Sequence, residues 1–262
     1  MPFLKSISLK LHSESVFPFT LPIIQNFEKI ELTSPVTIFV GENGSGKSTL
    51  IESIAVGMNS VAVGSDNLKT DPTLQKVRLL AEKLSFTTSK QPSRGFFFRA
   101  EDYFGFVKKM KSEIAELKDL ESEYEDKYTG YAKLLTTGMA KGQHSALRAK
   151  YGDDPDAFSH GEGFLNLLRS RLVPEGLYIL DEPETPLSPQ NQIALLSLIK
   201  EMVAKDCQFI IATHSPILMA FTDAQILHFN EDVIDEIDYE DVEHVTLTKS
   251  FLNDPENFLR RL

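Results

Sequence analysis

The alternation of hydrophobic and polar residues predicts that the chain begins with short β-strands. Residues 3–11 alternate between apolar and polar side chains, which is typical of a strand with one exposed face. Residues 27–32 predict a second strand, and the almost wholly apolar residues 36–40 predict a third that is covered on both faces. Helical spacing of apolar residues follows from Leu50, and Gly57 predicts the end of that helix.

The middle of the chain has weaker patterns. Residues 59–95 are mixed and polar and include an Asp-Pro turn former, so they predict a loop. Residues 95–100 contain three consecutive phenylalanines, which indicate a core strand or, as the alternative, a surface for a partner. Apolar residues then recur at helical spacing over residues 103–135, and residues 138–158 predict a long connection.

Strands and helices alternate in the last part of the chain, which predicts a parallel α/β sheet. The predicted elements are a helix over 163–172, a strand over 177–181, a helix over 189–204, and strands over 208–212 and 226–229. Ser188 is a suitable N-cap for the helix that starts at Pro189. We expect Ile193, Leu196 and Val203 to lie on the buried face of that helix. A short amphipathic helix closes the chain.

Composition narrows the class of protein. The chain has 262 residues, of which 42% are hydrophobic, and this suits a globular domain with a sizeable core. The net charge of -11 disfavours nonspecific binding to nucleic acid or anionic membranes. The single cysteine, Cys207, excludes an internal disulfide, and we expect a buried side chain in a cytoplasmic protein. No signal peptide is visible and no apolar run approaches the roughly 18 to 20 residues that span a bilayer, so we expect a soluble protein.

The candidate chemistry begins directly after the third predicted strand. Residues 41–49 match the phosphate-loop motif G-x-x-x-x-G-K-[ST] between a strand and a helix. Its glycines let backbone N–H groups surround phosphate oxygens at a helix N-terminus. We expect Lys47 to contact the β and γ phosphates and Ser48 to bind Mg²⁺. The predicted ATP-binding residues of this loop are Gly41, Glu42, Asn43, Gly44, Ser45, Gly46, Lys47, Ser48 and Thr49.

Two later strands end in residues that suit hydrolysis of the nucleotide. The strand over 177–181 ends in Asp181, a predicted Mg²⁺ ligand, and Glu182 follows, where it is placed to accept a proton from attacking water. His214 follows the next strand and so emerges at the same edge of the sheet. We expect its ring to contact the γ phosphate or the water, with a structural histidine as the alternative. The predicted catalytic residues are Lys47, Glu182 and His214.

These motifs resemble those of the ATP-binding cassette (ABC) ATPases. The phosphate loop, Leu180-Asp181-Glu182-Pro183 and Thr213-His214-Ser215 look like the phosphate loop, second acidic motif and switch histidine of that family. The nearest branch includes the chromosome-maintenance (SMC) and double-strand-break-repair ATPases, and within it the small bacterial AAA family ATPases. The resemblance implies an α/β P-loop NTPase fold with a mainly parallel core sheet, an N-terminal antiparallel β layer and a helical lobe. It implies one domain over residues 1–262, with the lobe at about 96–172.

Residues 159–163 (Ser-His-Gly-Glu-Gly) resemble the family's signature, usually Leu-Ser-Gly-Gly-Gln, but depart from it at His and Glu. In the family this segment reaches across a head-to-tail dimer to the γ phosphate of the other subunit. The resemblance therefore implies Ser159 and Gly161 as nucleotide contacts in an ATP-dependent homodimer. Ser188 stands near the position of an aspartate that commonly touches the partner, and Glu101 marks the neighbourhood of the Mg²⁺-sensing glutamine.

The leading hypothesis is a soluble Mg²⁺-dependent ATPase that dimerises around two ATP molecules and separates after hydrolysis. The alternative is a nucleotide-gated module that acts on nucleic acid or on a protein partner. Its candidate basic patch comprises Arg94, Arg99, Lys108, Lys109 and Lys111, which an ordinary solvated helix face explains as well. A transporter motor subunit is a third hypothesis, which the resemblance to the soluble branch disfavours. Nothing in the sequence directly supports a toxin or phage-defence role.

Overall fold

The structure is a computed structural model that describes residues 2–10, 16–63, 68–90, 92, 94–129, 138, 142 and 160–260. The strands are β1 Leu4–Leu9, β2 Lys29–Glu31, β3 Val36–Gly41, β4 Val61–Val63, β5 Leu84–Thr88, β6 Arg94–Arg99, β7 Gly176–Asp181, β8 Gln208–Ala212, β9 Gln225–Asn230 and β10 Val233–Glu236. The α-helices are α1 Pro22–Gln25, α2 Lys47–Gly57, α3 Gln75–Lys83, α4 Ala100–Lys127, α5 His160–Arg171, α6 Pro189–Val203, α7 Pro216–Met219, α8 Glu243–Asn253 and α9 Pro255–Leu259. Short 3₁₀ helices lie at Pro72–Leu74 and Tyr239–Asp241.

Seven strands form the main sheet in the order β10-β9-β3-β8-β7-β6-β4. β10 is antiparallel to β9, and the neighbouring pairs from β9 to β4 are parallel. Three antiparallel strands form a second sheet in the order β2-β1-β5. The predicted fold class, a P-loop α/β architecture with a mainly parallel core sheet and an antiparallel β layer, is confirmed.

The hydrophobic core covers both faces of the seven-stranded sheet. β3 is wholly buried, with Ile38 and Val40 in one core cluster and Phe39 in the other. The first cluster packs the sheet against α5, α6 and the start of α4, and the second packs it against α2, α3 and the three-stranded sheet. Strands covered on both faces are continuous apolar runs, which explains why β3, β7 and β8 are so evident in the sequence.

Several local predictions are confirmed. The three phenylalanines form the buried part of β6, so they are core residues rather than a partner surface. α2 ends at Gly57, and the Ser188 hydroxyl accepts a hydrogen bond from the Asn191 N–H at the start of α6. Cys207 is buried, with 2% of its surface exposed. Within the described residues, no helix combines the length and the apolar character that crossing a membrane requires.

The prediction of a loop over residues 59–95 is wrong. This stretch contains β4, a 3₁₀ helix, α3 and β5. α3 buries Val77, Leu80 and Ala81, whose helical spacing lies inside a mostly polar segment. The Asp-Pro pair starts the 3₁₀ helix, where the Asp71 carboxylate accepts the Thr73 N–H. β5 depends on its pairing with β1, which lies far away in the sequence.

Two further predictions need correction. Of the three residues predicted for the buried face of α6, Leu196 and Val203 pack partly buried against the core, whereas Ile193 is 60% exposed. The fully buried residues of this helix are Leu195, Leu198, Ile199 and Met202, so the helix docks on the sheet with its face rotated from the predicted one. Residues 96–99 belong to β6 and not to a helical lobe. The remaining division into one domain with a lobe stays a prediction, and most of the predicted connection at 138–158 lies outside the described residues.

Candidate functional site

Three neighbouring strands bring the predicted site residues together. β8 lies between β3 and β7, and its Ala212 is paired with both Phe39 of β3 and Asp181 of β7. Because the three strands are parallel, the chain leaves them at the same edge of the sheet. The phosphate loop follows β3, Glu182 follows β7, and His214 comes two residues after the end of β8. The order of the strands therefore builds the site from segments that are far apart in the sequence.

The phosphate loop leads directly into the N-terminus of α2. Gly44 and Gly46 have φ angles of +82° and +96°, in the left-handed region that favours glycine. A Cβ atom on Gly46 would lie 2.7 Å from the Ile23 Cγ2 atom. Glycine is therefore required at Gly46 both for the backbone conformation and for the close packing against α1.

Lys47 is held inside this loop. The residue is buried, and its Nζ donates hydrogen bonds to the carbonyl oxygens of Gly41 at 2.8 Å and Glu42 at 2.6 Å. The Ser45 hydroxyl lies 3.4 Å from the same nitrogen. Burial lowers the pKa of the Lys47 ammonium, while the Asp181 carboxylate acts in the opposite direction. The loop itself thus orients the ammonium group toward the region where a phosphate would bind.

Ser48 and Asp181 are the predicted Mg²⁺ ligands, and the fold places them side by side. The Ser48 Oγ lies 3.5 Å from the Asp181 Oδ1. Burial raises the pKa of Asp181 to about 7, and the carboxylates of Glu52 and Glu182 add to this effect. A divalent cation would balance this buried negative charge, and hydroxyl and carboxylate oxygens are ligands that Mg²⁺ prefers. The residues present therefore fit an Mg²⁺ ion held by Ser48 and Asp181.

Glu182 and His214 lie next to each other at the ends of β7 and β8. The His214 Nε2 is 3.9 Å from the Glu182 Oε1, and the two side chains are 26% and 46% exposed. Glu182 has a φ angle of +50°, and its N–H donates to the Ala212 carbonyl at 2.9 Å. Burial lowers the pKa of His214 to about 4, with Lys47 and His244 acting in the same direction. The imidazole of His214 is therefore neutral near pH 7.

Glu184 is a site residue that sequence reasoning missed. Its Oε1 accepts the backbone N–H of His214 at 2.7 Å, and the Thr213 hydroxyl also bonds to this carboxyl group. Burial raises the pKa of Glu184. The carboxyl group fixes the backbone of the segment after β8 against the loop after β7. No local pattern marks this role, because the contact joins residues 30 positions apart.

Much of the phosphate loop, together with Glu182 and His214, lines one open cleft of about 200 Å³, and Asp181 and Glu184 are not among its lining residues. Its lining comprises Phe17, Leu21, Asn43, Gly44, Gly46, Lys47, Ser48, Thr49, Glu182 and His214. Sequence reasoning also missed Phe17 and Leu21, which come from the segment before β2 and carry no motif. Phe17 is 38% exposed, and an exposed aromatic ring at the cleft suits stacking of a nucleotide base. Two larger cavities of about 740 Å³ contain none of the motif residues.

Two family models match the parts of the chain that hold these motifs. A model described as "AAA domain" matches residues 10–103, which include the phosphate loop. A model described as "AAA domain, putative AbiEii toxin, Type IV TA system" matches residues 163–220, which include Asp181, Glu182 and His214. These two matches support a P-loop ATPase. The phosphate loop and the residues predicted for hydrolysis thus lie within matched segments.

The ATPase also resembles several solved structures. One is the Smc head domain of Pyrococcus furiosus bound to the C-terminal domain of ScpA, with 13% identity, a TM-score of 0.49, and coverage of 98% of this chain and 100% of that chain. Another is a nucleotide-free ATP-binding cassette from an ABC transporter, with 18% identity, a TM-score of 0.44, and coverage of 98% and 97%. The SMC head domain of Thermotoga maritima has 17% identity, a TM-score of 0.41, and coverage of 90% and 98%. No curated protein matches the chain.

The signature-like segment of the ATPase is described only from residue 160 onward. Ser159 falls outside the described residues, and Gly161 is in the first turn of α5. A Cβ atom on Gly161 would lie 2.5 Å from the Asn191 Nδ2, so this glycine allows close packing of α5 on α6. The described lining of the cleft does not include Gly161. Ser188 serves as the N-cap of α6, and the Glu101 carboxylate forms an ion pair with Arg99 at 3.2 Å.

Arg99 does not contribute a free charge to the candidate basic patch, because its side chain is only 11% exposed and is surrounded by carboxylates. Its guanidinium lies within 3.0–3.6 Å of Glu52, Asp71, Glu101 and Asp102. Burial alone would lower the pKa of Arg99, but the carboxylates of Asp102, Glu101 and Glu52 raise it above its ordinary value. Arg94 lies at the opposite end of β6 from α4. This Arg99 cluster ties α2, which carries Glu52, to the start of α4.

We expect Arg99→Met to lower the free energy of unfolding by about 3–5 kcal/mol, because it leaves buried carboxylates without a counter-charge. The side chains of Glu52, Asp71 and Asp102 are 8–13% exposed, so water compensates them poorly. Urea unfolding followed by circular dichroism measures the change. Arg94→Met is the matched control on the same strand, since Arg94 is exposed, and we expect a change within about 0.5 kcal/mol. Equal losses in the two variants would contradict the prediction.

Proposed function

We propose that this ATPase hydrolyses Mg-ATP to ADP and phosphate at a site that two copies of the chain complete together. The convergence of Lys47, Ser48 and Glu182 at one cleft, with the Asp181 Oδ1 3.5 Å from the Ser48 Oγ, supports this proposal. Phosphoryl transfer to water needs positive charge around the phosphates and a group that positions the water and accepts its proton. Mg²⁺ held by Ser48 and Asp181 would neutralise charge on the phosphate oxygens.

Each side chain at or near the cleft would have a separate role in the proposed reaction. Lys47 would donate hydrogen bonds to the β and γ phosphates, and Glu182 would accept the proton of the attacking water. The neutral ring of His214 would contact the γ phosphate or that water through Nε2, which faces Glu182. Glu184 would hold His214 in place through its backbone N–H, and Phe17 would stack on the base.

Two features support a second copy as part of the site. Glu182 and His214 are 46% and 26% exposed, whereas phosphoryl transfer is favoured where bulk water is excluded. The signature-like segment around Gly161 does not line the described cleft of its own chain, and the ABC resemblance assigns it to the cleft of a partner copy. The family match over residues 163–220 covers Asp181, Glu182 and His214, so it supports ATP hydrolysis.

Phosphate release and sedimentation of the purified chain test the two halves of this proposal. We expect phosphate release from ATP that requires Mg²⁺ and stops when EDTA is added. We expect monomers without nucleotide or with ADP, and dimers with Mg²⁺ and a non-hydrolysable ATP analogue. A chain that releases no phosphate would overturn the hydrolysis proposal. A chain that turns over ATP at full rate while it remains monomeric with the analogue would overturn the two-copy site.

A further inference from the structure

His244, in the first turn of α8, lies beside the candidate site without a role in the proposed reaction. Its Nε2 is 3.2 Å from the His214 Nδ1, and the two ring centroids are 5.1 Å apart at an interplanar angle of 62°. Two ring nitrogens at this distance share one hydrogen bond, in which one imidazole donates and the other accepts. The pair therefore couples a C-terminal helix to the predicted switch histidine.

His244 is carried by a well-packed part of the backbone. The flanking Val242 and Val245 are 2% and 0% exposed, and both belong to the core cluster that covers one face of β3. The Tyr239 hydroxyl donates to the carbonyl of Pro216, two residues after His214, at 3.3 Å. These contacts fix the start of α8 relative to the segment after β8. The fold thus places the two rings together, as a positioning role requires.

The surroundings of His214 decide the direction of the hydrogen bond. Its other nitrogen, Nε2, lies 3.9 Å from the Glu182 Oε1. Carboxylate and phosphate oxygens are both acceptors, so the side of the ring that faces them is best protonated. Burial lowers the pKa of His214 to about 4, with Lys47 and His244 acting in the same direction, so the ring carries a single proton near pH 7. With that proton on Nε2, the Nδ1 atom must accept.

We propose that His244 is a positioning residue, whose Nε2–H donates to the His214 Nδ1 and thereby holds the His214 proton on Nε2. That proton then faces Glu182, at the cleft where the nucleotide would bind. Glu184 fixes the backbone of His214, so backbone and ring are held from two sides. The inference rests on the proposed hydrolysis for its catalytic consequence, but the tautomer of His214 is a property of the resting protein.

Three substitutions of His244 in the full chain test this role. His244→Phe keeps a ring but removes the donor, His244→Gln keeps an N–H donor near the position of Nε2, and His244→Glu offers only acceptor oxygens. We expect His244→Phe to lower kcat about five- to tenfold with little change in KM, and His244→Gln to retain most of the activity. His228→Phe, on β9 and outside the cleft lining, is the matched ring exchange and is expected to leave kcat unchanged.

Nitrogen-15 NMR of the histidine-labelled chain reads the tautomer directly, with the His214 signals assigned from a His214→Gln variant. We expect the His214 proton on Nε2 in the wild type and in His244→Gln, and a proton on Nδ1 in His244→Glu. A wild-type His214 with its proton on Nδ1 would overturn the proposal, as would a folded His244→Phe variant with unchanged kcat. A wild type that hydrolyses no ATP would instead count against the proposed function, and the NMR result would still decide the tautomer.

Discussion

Lys47→Met is expected to weaken ATP binding by at least about 100-fold and to reduce ATP hydrolysis to background. The Lys47 ammonium is already oriented by the carbonyl oxygens of Gly41 and Glu42, so little ordering is needed when it bonds phosphate oxygens. A hydrogen bond that involves a charged group is worth about 1.5–3 kcal/mol. Loss of two such bonds corresponds to about 3–6 kcal/mol, or roughly a 10²- to 10⁴-fold change in affinity.

This loss is distinguishable from unfolding. Methionine removes the cost of burying an ammonium group but leaves two carbonyl oxygens without their donor, and these opposing effects keep the expected change in melting temperature small. Isothermal titration calorimetry measures ATP affinity, and thermal unfolding checks the fold. Lys205→Met is the matched control, because Lys205 is an exposed lysine paired with Glu201 at the surface. A Lys47→Met variant that binds ATP as tightly as Lys205→Met would refute the role of Lys47.

The phosphate loop and the strand ends around it are predictable because their signals are local. A buried apolar run, glycines at left-handed positions and an apolar helix follow one another within residues 36–57. Asp181 and Glu182 end a second apolar run in the same way. Once both runs are assigned to parallel strands, their carboxyl ends must meet at one edge of the sheet. The sequence thus predicts the groups that meet at the cleft, although it does not predict their distances.

The remaining features depend on contacts between residues that are distant in the sequence. β5 forms by pairing with β1, which lies far away in the sequence. α3 buries three apolar side chains in the core, but these lie within a mostly polar segment that does not indicate a helix. The contacts of Glu184 and of His244 with His214 each span 30 positions. Arg99 illustrates the same point, since its four carboxylate partners place an expected surface charge in an ion-pair cluster in which only Glu101 is exposed.

Glu182→Gln is expected to lower kcat by about 10²- to 10⁴-fold while ATP affinity changes by less than about threefold. The amide has the shape of the carboxylate and still hydrogen-bonds a water molecule, but it does not accept a proton. The substitution also removes one of the charges that raise the pKa of Asp181, which favours the ionised form that would bind Mg²⁺. We therefore expect the variant to bind the nucleotide but to hydrolyse it slowly.

Glu175→Gln is the matched control for this experiment. Glu175 directly precedes β7 with a φ angle of +58°, and Glu182 directly follows it with a φ angle of +50°, so both substitutions place glutamine in the same backbone conformation. Glu175 is exposed and its ion pair with Lys90 lies at the surface, so we expect wild-type kcat.

Sedimentation in Mg-ATP supplies the second readout. Because Glu182→Gln is expected to consume ATP far more slowly, it should remain a dimer over the time in which the wild type and Glu175→Gln hydrolyse their ATP and return to monomers. Wild-type turnover in Glu182→Gln would assign the proton to another group, and a Glu182→Gln protein that binds ATP as a monomer would contradict the two-copy site.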